Sequence, residues 1–291
     1  DRHILDHSSG EISTAEAAEL MEALKTGLQR EGYTFYTGIS YRHLLIQSKG
    51  KVVDLTAPHD ILTKRIGEYL PGDPVLREMM VKSYDILKDH PVNIKRREQG
   101  KNPANSAWFW GAGTRPALIS FEKKNGVKGA MISAVDLLKG IAVGAEMDNI
   151  TVEGANGGLD TNYAGKGQAA VKALIRDGYD FVYVHIEAPD EMGHQGSAEN
   201  KILAIERIDE KIICPVVQAF QEAGTDFRML ILPDHPTPVR VRTHTGEPVP
   251  YLLYDSTGNV DGPDTYSEKT GAQTGIYVAE GYTLLSRLLG K

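Results

Sequence analysis

The sequence is poor in cysteine: Cys214 is the only one among 291 residues. No disulfide can close within the chain, which excludes the disulfide-stapled secreted scaffolds and favours a reducing, cytoplasmic setting. No apolar run reaches the roughly 20 residues that a membrane-spanning helix needs. No signal-peptide pattern opens the sequence either, so a membrane is not an expected partner. A basic excess is also missing, because 32 Lys and Arg face 39 Asp and Glu for a formal net charge of −7. Nucleic acid calls for clustered cations and is therefore not expected, although a local basic pocket for a small anion stays open. Internal repeats and low-complexity tracts are absent as well. What is present, 41% hydrophobic and 24% charged residues, is an ordinary soluble composition, long enough for one large domain or two modest ones.

Ser13 and Glu16 form an S-x-x-E capping pattern, and Ala17, Leu20, Met21, Leu24 and Leu28 follow at helical spacing. An amphipathic helix is expected over 14–30, ending near Gly32. Residues 33–53 read as strands around a Lys49-Gly50-Lys51 turn, 60–70 as a short helix, and 75–88 as a second helix after the turn Pro71-Gly72-Asp73-Pro74. Residues 1–105 thus read as a small α+β domain, closed by the polar stretch 96–105. Residues 106–291 are organised differently. Apolar runs at 117–121, 129–134, 150–152, 181–187, 229–232 and 251–254 alternate with helical stretches at 135–145, 165–177 and 197–223. That alternation implies an α/β fold, a parallel sheet with right-handed crossovers flanked by helices. In the longest helix Ile202, Ile205, Ile208, Ile212, Val216 and Phe220 mark one buried stripe. Pro215 is expected to kink this helix, and Cys214 to lie beside the stripe as a small buried hydrophobe.

Chemistry-bearing residues gather after three of these runs. FVYVHIEAPDEMGHQG (181–196) ends in a loop with Asp190, Glu191 and His194, LILPDHPTP (230–238) holds Asp234 and His235, and VRTHTGEPVP (241–250) holds His244. Open α/β sheets bind ligands beyond the carboxyl ends of their strands, so three such loops can meet above one sheet edge. Singly, a histidine at a strand end is more often an ordinary hydrogen-bonded side chain, and Asp-His before proline can simply make a turn. Together they are the ligand types of zinc, manganese and iron, and the Asp-x-x-x-His spacing puts two ligands on one turn of a loop or helix start. Adjacent Asp234 and His235 point in different directions, which suits two metals side by side. His185 lies inside a strand and reads as core.

D-x-x-x-H-x-G, then a strand ending in D-H, then H-T-x-x-P-V-P resembles the metal-binding half of the alkaline-phosphatase superfamily. More closely, it resembles the cofactor-independent (2,3-bisphosphoglycerate-independent) phosphoglycerate mutases of the archaeal type. DRHILDHSSGEIS (1–13), WFWGAGTRP (108–116) and GGLDTNYAGK (157–166) resemble segments of the same family in the same order, so the likeness covers nearly the whole chain. The resemblance implies an alkaline-phosphatase-like parallel sheet whose first strands are missing, with the small α+β domain as an inserted, substrate-covering unit. It implies two divalent ions, manganese first, with zinc, magnesium or cobalt as alternatives, and no 2,3-bisphosphoglycerate. Asp190, His194 and His244 would share one ion, and Asp234 and His235 would serve the other.

The implied reaction is the glycolytic interconversion of 3-phosphoglycerate and 2-phosphoglycerate through a phosphoserine. In the family the nucleophilic serine and a further aspartate precede the small domain. This chain is therefore expected to be a truncated piece that lacks the nucleophile, binds metal weakly or not at all and is inactive alone. Asp255-Ser256 follows a strand but comes last in order and reads as a loop. Retaining glycerate requires cationic clamps, for which Arg115 and Lys166 are the main candidates, joined by Asp1, Arg2, His3 and Arg42. For Arg42 and Lys166 a solvated surface charge is an equal reading. Trp108 and Trp110 read as packing at the domain junction. A phosphatase or phosphotransferase of the same superfamily, or a non-catalytic metal-binding domain, stays open as an alternative. A sheet edge left uncovered by a missing strand would favour a homo-oligomer.

Overall fold

The computed structural model describes residues 2–258 and 262–291. They form two compact units, Asp1–Arg115 and Pro116–Lys291. In the first unit the capping box is made as the sequence predicts: the Ser13 hydroxyl accepts from the Glu16 amide and the Glu16 carboxylate accepts from the Ser13 amide, opening α1, Thr14–Gly27. Its inward face of Ala17, Leu20, Met21 and Leu24 packs with Met79 and Leu87 of α2, Pro74–Leu87. β1, Tyr33–Tyr36, and β2, Leu44–Gln47, pair antiparallel. Residues 60–70 are not a helix; two single 3-10 turns, Pro58–Ile61 and Ile66–Tyr69, stand there.

The polar stretch expected to be a linker proves to be structural. Pro91 opens α3, Pro91–Glu98, and Arg96 near its end is only 2% exposed. The Arg96 guanidinium donates to the Asn102 carbonyl at 2.9 Å, to Glu16 Oε2 at 2.9 Å and to the Ser9 carbonyl. Fully buried Asn93 donates to the carbonyls of Leu87 and Ala104 and accepts from the Ala104 amide. A buried polar group is tolerated when it is paired in this way. The segment after α3 is thereby tied to the small unit, which is why the division falls at Arg115 and Pro116 and not at residue 105.

The second unit contains α4 (Phe121–Asn125), β3 (Gly129–Ile132), α5 (Asp136–Gly144), β4 (Asp148–Asn149), α6 (Tyr163–Ile175) and β5 (Phe181–Val184). Its three-stranded sheet has the order β4-β3-β5 and is parallel throughout, with β3 buried along its whole length. Then come α7 (Ala188–Gln195), α8 (Ala198–Ile208), a π-turn over Asp209–Ile213 and α9 (Cys214–Ala223). β6 (Arg228–Ile231), β7 (Leu252–Asp255), α10 (Glu268–Gln273) and α11 (Leu284–Leu288) complete the order. Tyr163, Ala188, Ala204, Ile212, Val216 and Phe220 form the core between the helices.

Several sequence expectations are corrected here. Residues 117–121 form no strand: Ser120 caps α4, and Phe121 stacks on Phe181 with ring centroids 5.0 Å apart. β6 and β7 do not extend the parallel sheet but pair antiparallel with each other. No helix in the connection carries a parallel crossover, and Arg228 Nε meets Asp255 Oδ2 across the pair at 2.6 Å. The long helix is interrupted by the π-turn over Asp209–Ile213, directly before Pro215, the residue that cannot supply an amide to the ladder. Cys214 on this bend is exposed, not core. The stripe is buried only in its second half, because Ala204 is the inward position of α8 and Ile202 and Ile205 are 57% and 52% exposed.

Candidate metal centre

The residues expected in a loop after β5 instead form α7. Pro189 sits in its first turn, and Gly196 ends it in the left-handed conformation at φ 74°. One helical turn separates Asp190 from His194, which brings their side chains onto one face, with His194 Nε2 3.3 Å from Asp190 Oδ2. The long connection between β6 and β7 brings His235 and His244 to the same place. Asp190, His235 and His244 offer ligand atoms that all lie within 4.8 Å of one another. His244 Nε2 is 3.4 Å from Asp190 Oδ1 and 3.1 Å from His194 Nε2. The rings of His235 and His244 lie against each other, centroids 3.8 Å apart. Asp234 stands at the rim, its side chain 66% exposed and its Oδ2 3.3 Å from His235 Nε2. Glu191 is exposed and is not among the clustered groups.

Proton bookkeeping shows what this cluster can hold. His194 Nδ1 is 3.0 Å from the Arg242 carbonyl oxygen, which can only accept, so Nδ1 carries the proton. In the neutral ring Nε2 then has a lone pair, and that lone pair faces a carboxylate oxygen and a second imidazole nitrogen. Acceptors this close repel unless a proton or a cation lies among them. A carboxylate with several neutral imidazoles, one of them oriented by a backbone carbonyl, is a donor set that fits a divalent transition metal.

Behind the cluster, half-buried His185 follows β5 directly and is not part of the strand, with Nδ1 3.3 Å from the Ser133 hydroxyl. Burial pushes its pKa down, Asp234 and Asp190 oppose that, and Lys166 adds to it. Lys166 of α6 is 1% exposed and donates to the His185 carbonyl at 3.1 Å. Its reading as a solvated surface charge is therefore overturned. Burial lowers its pKa as well, against the opposing charge of Glu187.

The other cationic candidates lie in the small unit. Arg2, His3, Arg42 and Arg115 all line one cavity of about 1560 Å³. The Arg2 guanidinium stacks 3.4 Å above the Tyr84 ring, and Trp108 Nε1 donates to the Thr56 carbonyl at 2.8 Å. Trp108 and Trp110 are walls of this cavity. Asp1 lies outside the described residues. Two residues next to the metal-type cluster escape sequence reasoning: Thr237, which donates to Asp190, and Lys201, which donates to the Thr237 carbonyl. The only sequence signal was their closeness to the D-H and D-x-x-x-H motifs.

A family model described as the Metalloenzyme superfamily matches residues 13–278. A 2,3-bisphosphoglycerate-independent phosphoglycerate mutase from Methanosarcina mazei is 47% identical over 278 residues, 92% of this chain and 70% of that relative. The chain belongs to the 2,3-bisphosphoglycerate-independent phosphoglycerate mutase family. Two solved structures resemble this phosphoglycerate mutase family member in fold. A protein from Pyrococcus horikoshii matches with a TM-score of 0.72 and 28% identity, over 93% of this chain and 66% of that one. A cofactor-independent phosphoglycerate mutase from Thermoplasma acidophilum shares the fold at a TM-score of 0.56 and 24% identity, over 98% of this chain and 72% of that one. The mutase-family chain thus spans 70% of the Methanosarcina relative and 66% of the Pyrococcus protein. Among its described residues no helix is long and apolar enough to cross a membrane.

Proposed function

We propose that this chain carries the metal-binding part of a metal-dependent phosphoglycerate mutase, which interconverts 3-phosphoglycerate and 2-phosphoglycerate through a phosphoserine in glycolysis. The observation that carries the reading is the convergence of Asp190, His194 and His244, with facing acceptor atoms 3.1 to 3.4 Å apart, and of His235, whose Nδ1 lies 4.0 Å from Asp190 Oδ1, in a chain of this family. Two divalent ions, manganese by preference, would be held by Asp190, His194 and His244 on one side and by Asp234 and His235 on the other. Bound there, such ions neutralise a phosphomonoester, activate a hydroxyl and stabilise charge on the attacking and leaving oxygens.

The chain's own contribution to mutase chemistry is retention of glycerate, since its loss would turn a mutase into a phosphatase. In the small unit Arg2, Arg42 and Arg115, with His3 beside them, and in the large unit Lys166, are the groups proposed to hold a carboxylate or a phosphate. The phosphoryl-accepting serine is assigned to no residue of this chain. Ser256 is engaged at the end of the β6/β7 pair, where its hydroxyl accepts from the Phe227 amide. The setting is cytoplasmic and the substrate a small phosphorylated acid. Exposed Ile202 and Ile205 on α8 favour self-association of the isolated 291-residue chain.

The test is an assay of the protein that carries this chain, with manganese and 3-phosphoglycerate. 2-Phosphoglycerate without inorganic phosphate is the expected product. Phosphate release without 2-phosphoglycerate would identify a phosphatase of the same superfamily and sink the mutase reading.

A further inference from the structure

We propose that Thr237 is the positioning residue of the metal centre: its single hydroxyl orients the Asp190 carboxylate and the His235 ring together, and Lys201 fixes Thr237 itself. The inference rests on the metal-binding reading above. Thr237 is 3% exposed, between α7, α8 and the loop that carries His235. Its Oγ1 donates to Asp190 Oδ1. A hydroxyl has one proton, so toward His235 Nδ1, 3.3 Å away, the same oxygen can only accept. A ring proton on Nδ1 of His235 satisfies that oxygen, and Nε2, 3.3 Å from Asp234 Oδ2, is then left with a lone pair that faces the carboxylate and suits a cation between the two. His194 reaches the same tautomer by another route, through the Arg242 carbonyl. Two ligand rings are thus set for coordination through Nε2 by acceptors outside the ligand set, the arrangement that tunes metal sites generally.

Two further contacts lock the hydroxyl in place. Lys201 Nζ, from α8, donates to the Thr237 backbone carbonyl at 2.7 Å. A Cβ placed on Gly193 would lie 2.5 Å from that carbonyl oxygen and 2.9 Å from Thr237 Cγ2, so only glycine lets α7 approach this closely. The glycine of D-E-M-G-H and the threonine of D-H-P-T-P are therefore a fitted pair, which brings the helix with Asp190 and His194 against the loop with His235.

The test uses the 291-residue chain and two readouts. The first is the tautomer of His235 without metal, read from long-range nitrogen–proton correlations in NMR. Wild type and Thr237→Ser are expected to show the proton on Nδ1, and Thr237→Val to lose that preference. The second is calorimetric titration with manganese alone, with the cobalt absorption spectrum as a check on ligand geometry. Thr237→Val is expected to weaken binding about 10- to 100-fold and to alter the cobalt bands, Thr237→Ser to restore both, and Lys201→Met to fall between them. Circular dichroism shows whether each variant is folded. Should Thr237→Val fail to fold, Lys201→Met decides, and unchanged affinity there overturns the proposal. If wild type binds metal, Asp190→Ala abolishes it and Thr237→Val equals wild type in both readouts, the positioning role fails while the metal site stands. If wild type binds neither ion at millimolar concentration, the tautomer decides: an Nδ1 proton on His235 that Thr237→Val loses supports the positioning role, and the same tautomer in both overturns it.

Discussion

In the small unit the cations are spread around a cavity of about 1560 Å³, on exposed side chains that touch aromatic rings or solvent. In the large unit the aspartate and histidines lie within hydrogen-bonding distance of one another and of a buried threonine. The first arrangement acts by summed, screened charge, where each exposed group contributes at most about 1 kcal/mol. The second acts by fixed geometry, where removing one group strips several others of their partner. Asp190 is the sharpest case, since it meets His194, His235, His244 and Thr237. Asp190→Ala is expected to weaken manganese binding by more than about 100-fold in calorimetric titration. Arg2→Ala in the same titration is expected to bind like wild type. Equal affinities for Asp190→Ala and wild type would break the comparison.

The small unit has fixed geometry too, but away from its cavity cations. Arg96 ties three segments through Glu16, Ser9 and Asn102, and removing it strips the buried Ser9 carbonyl, the Asn102 carbonyl and the Glu16 carboxylate of its donors. Arg96→Met is expected to destabilise the chain by about 2 kcal/mol in urea unfolding, with manganese affinity unchanged. A variant as stable as wild type would show that the Arg96 network makes no net contribution to stability. By contrast, Arg42 is exposed and its guanidinium lies 5.5 Å from the Tyr41 ring centroid. In the active protein Arg42→Ala is expected to raise KM by no more than about fivefold and to leave kcat alone, as for loss of uniform substrate binding. A fall in kcat of tenfold or more would move Arg42 out of the diffuse class.

What could be read from the sequence divides along the same line. α1 announces itself by its capping box and apolar spacing, which are local. The ligand types and the Asp-x-x-x-His spacing are also local, and the structure brings four of the five expected ligands together. α7 was hidden because APDEMGHQ has no apolar period; its helix is stabilised by tertiary burial of Ala188, Met192 and Gly193. The antiparallel pairing of β6 with β7 depends on a cross-strand partner, which no single strand reveals. The stretch with Arg96 reads as a polar boundary, and Lys166 reads equally as a substrate clamp or a solvated surface charge, because burial of a charge follows from what packs around it. Thr237 escapes a reading of the sequence because a hydroxyl in D-H-P-T-P has no signature until Asp190 stands beside it.

The smallest expected effect concerns pH, and it comes from the margin of the ordered cluster. Burial lowers the pKa of His185 below 6.5, with Asp234 and Asp190 opposing and Lys166 assisting. The unfolded chain therefore takes up a proton near 6.5 that the folded chain still refuses. Stability is unaffected well above 6.5, falls as pH drops through that value, and levels once the pH is below the folded value. His185→Gln is expected to flatten this part of the profile, measured by denaturant unfolding in chelator so that no metal perturbs the neighbouring aspartates. The carboxylates lowered by hydrogen bonds, such as Asp6 and Glu16, lose their contribution only below their ordinary values of 3.8 and 4.5, so their acid limb is separate. An unchanged slope around 6.5 in His185→Gln would mean that burial does not hold the His185 ring neutral in the folded chain.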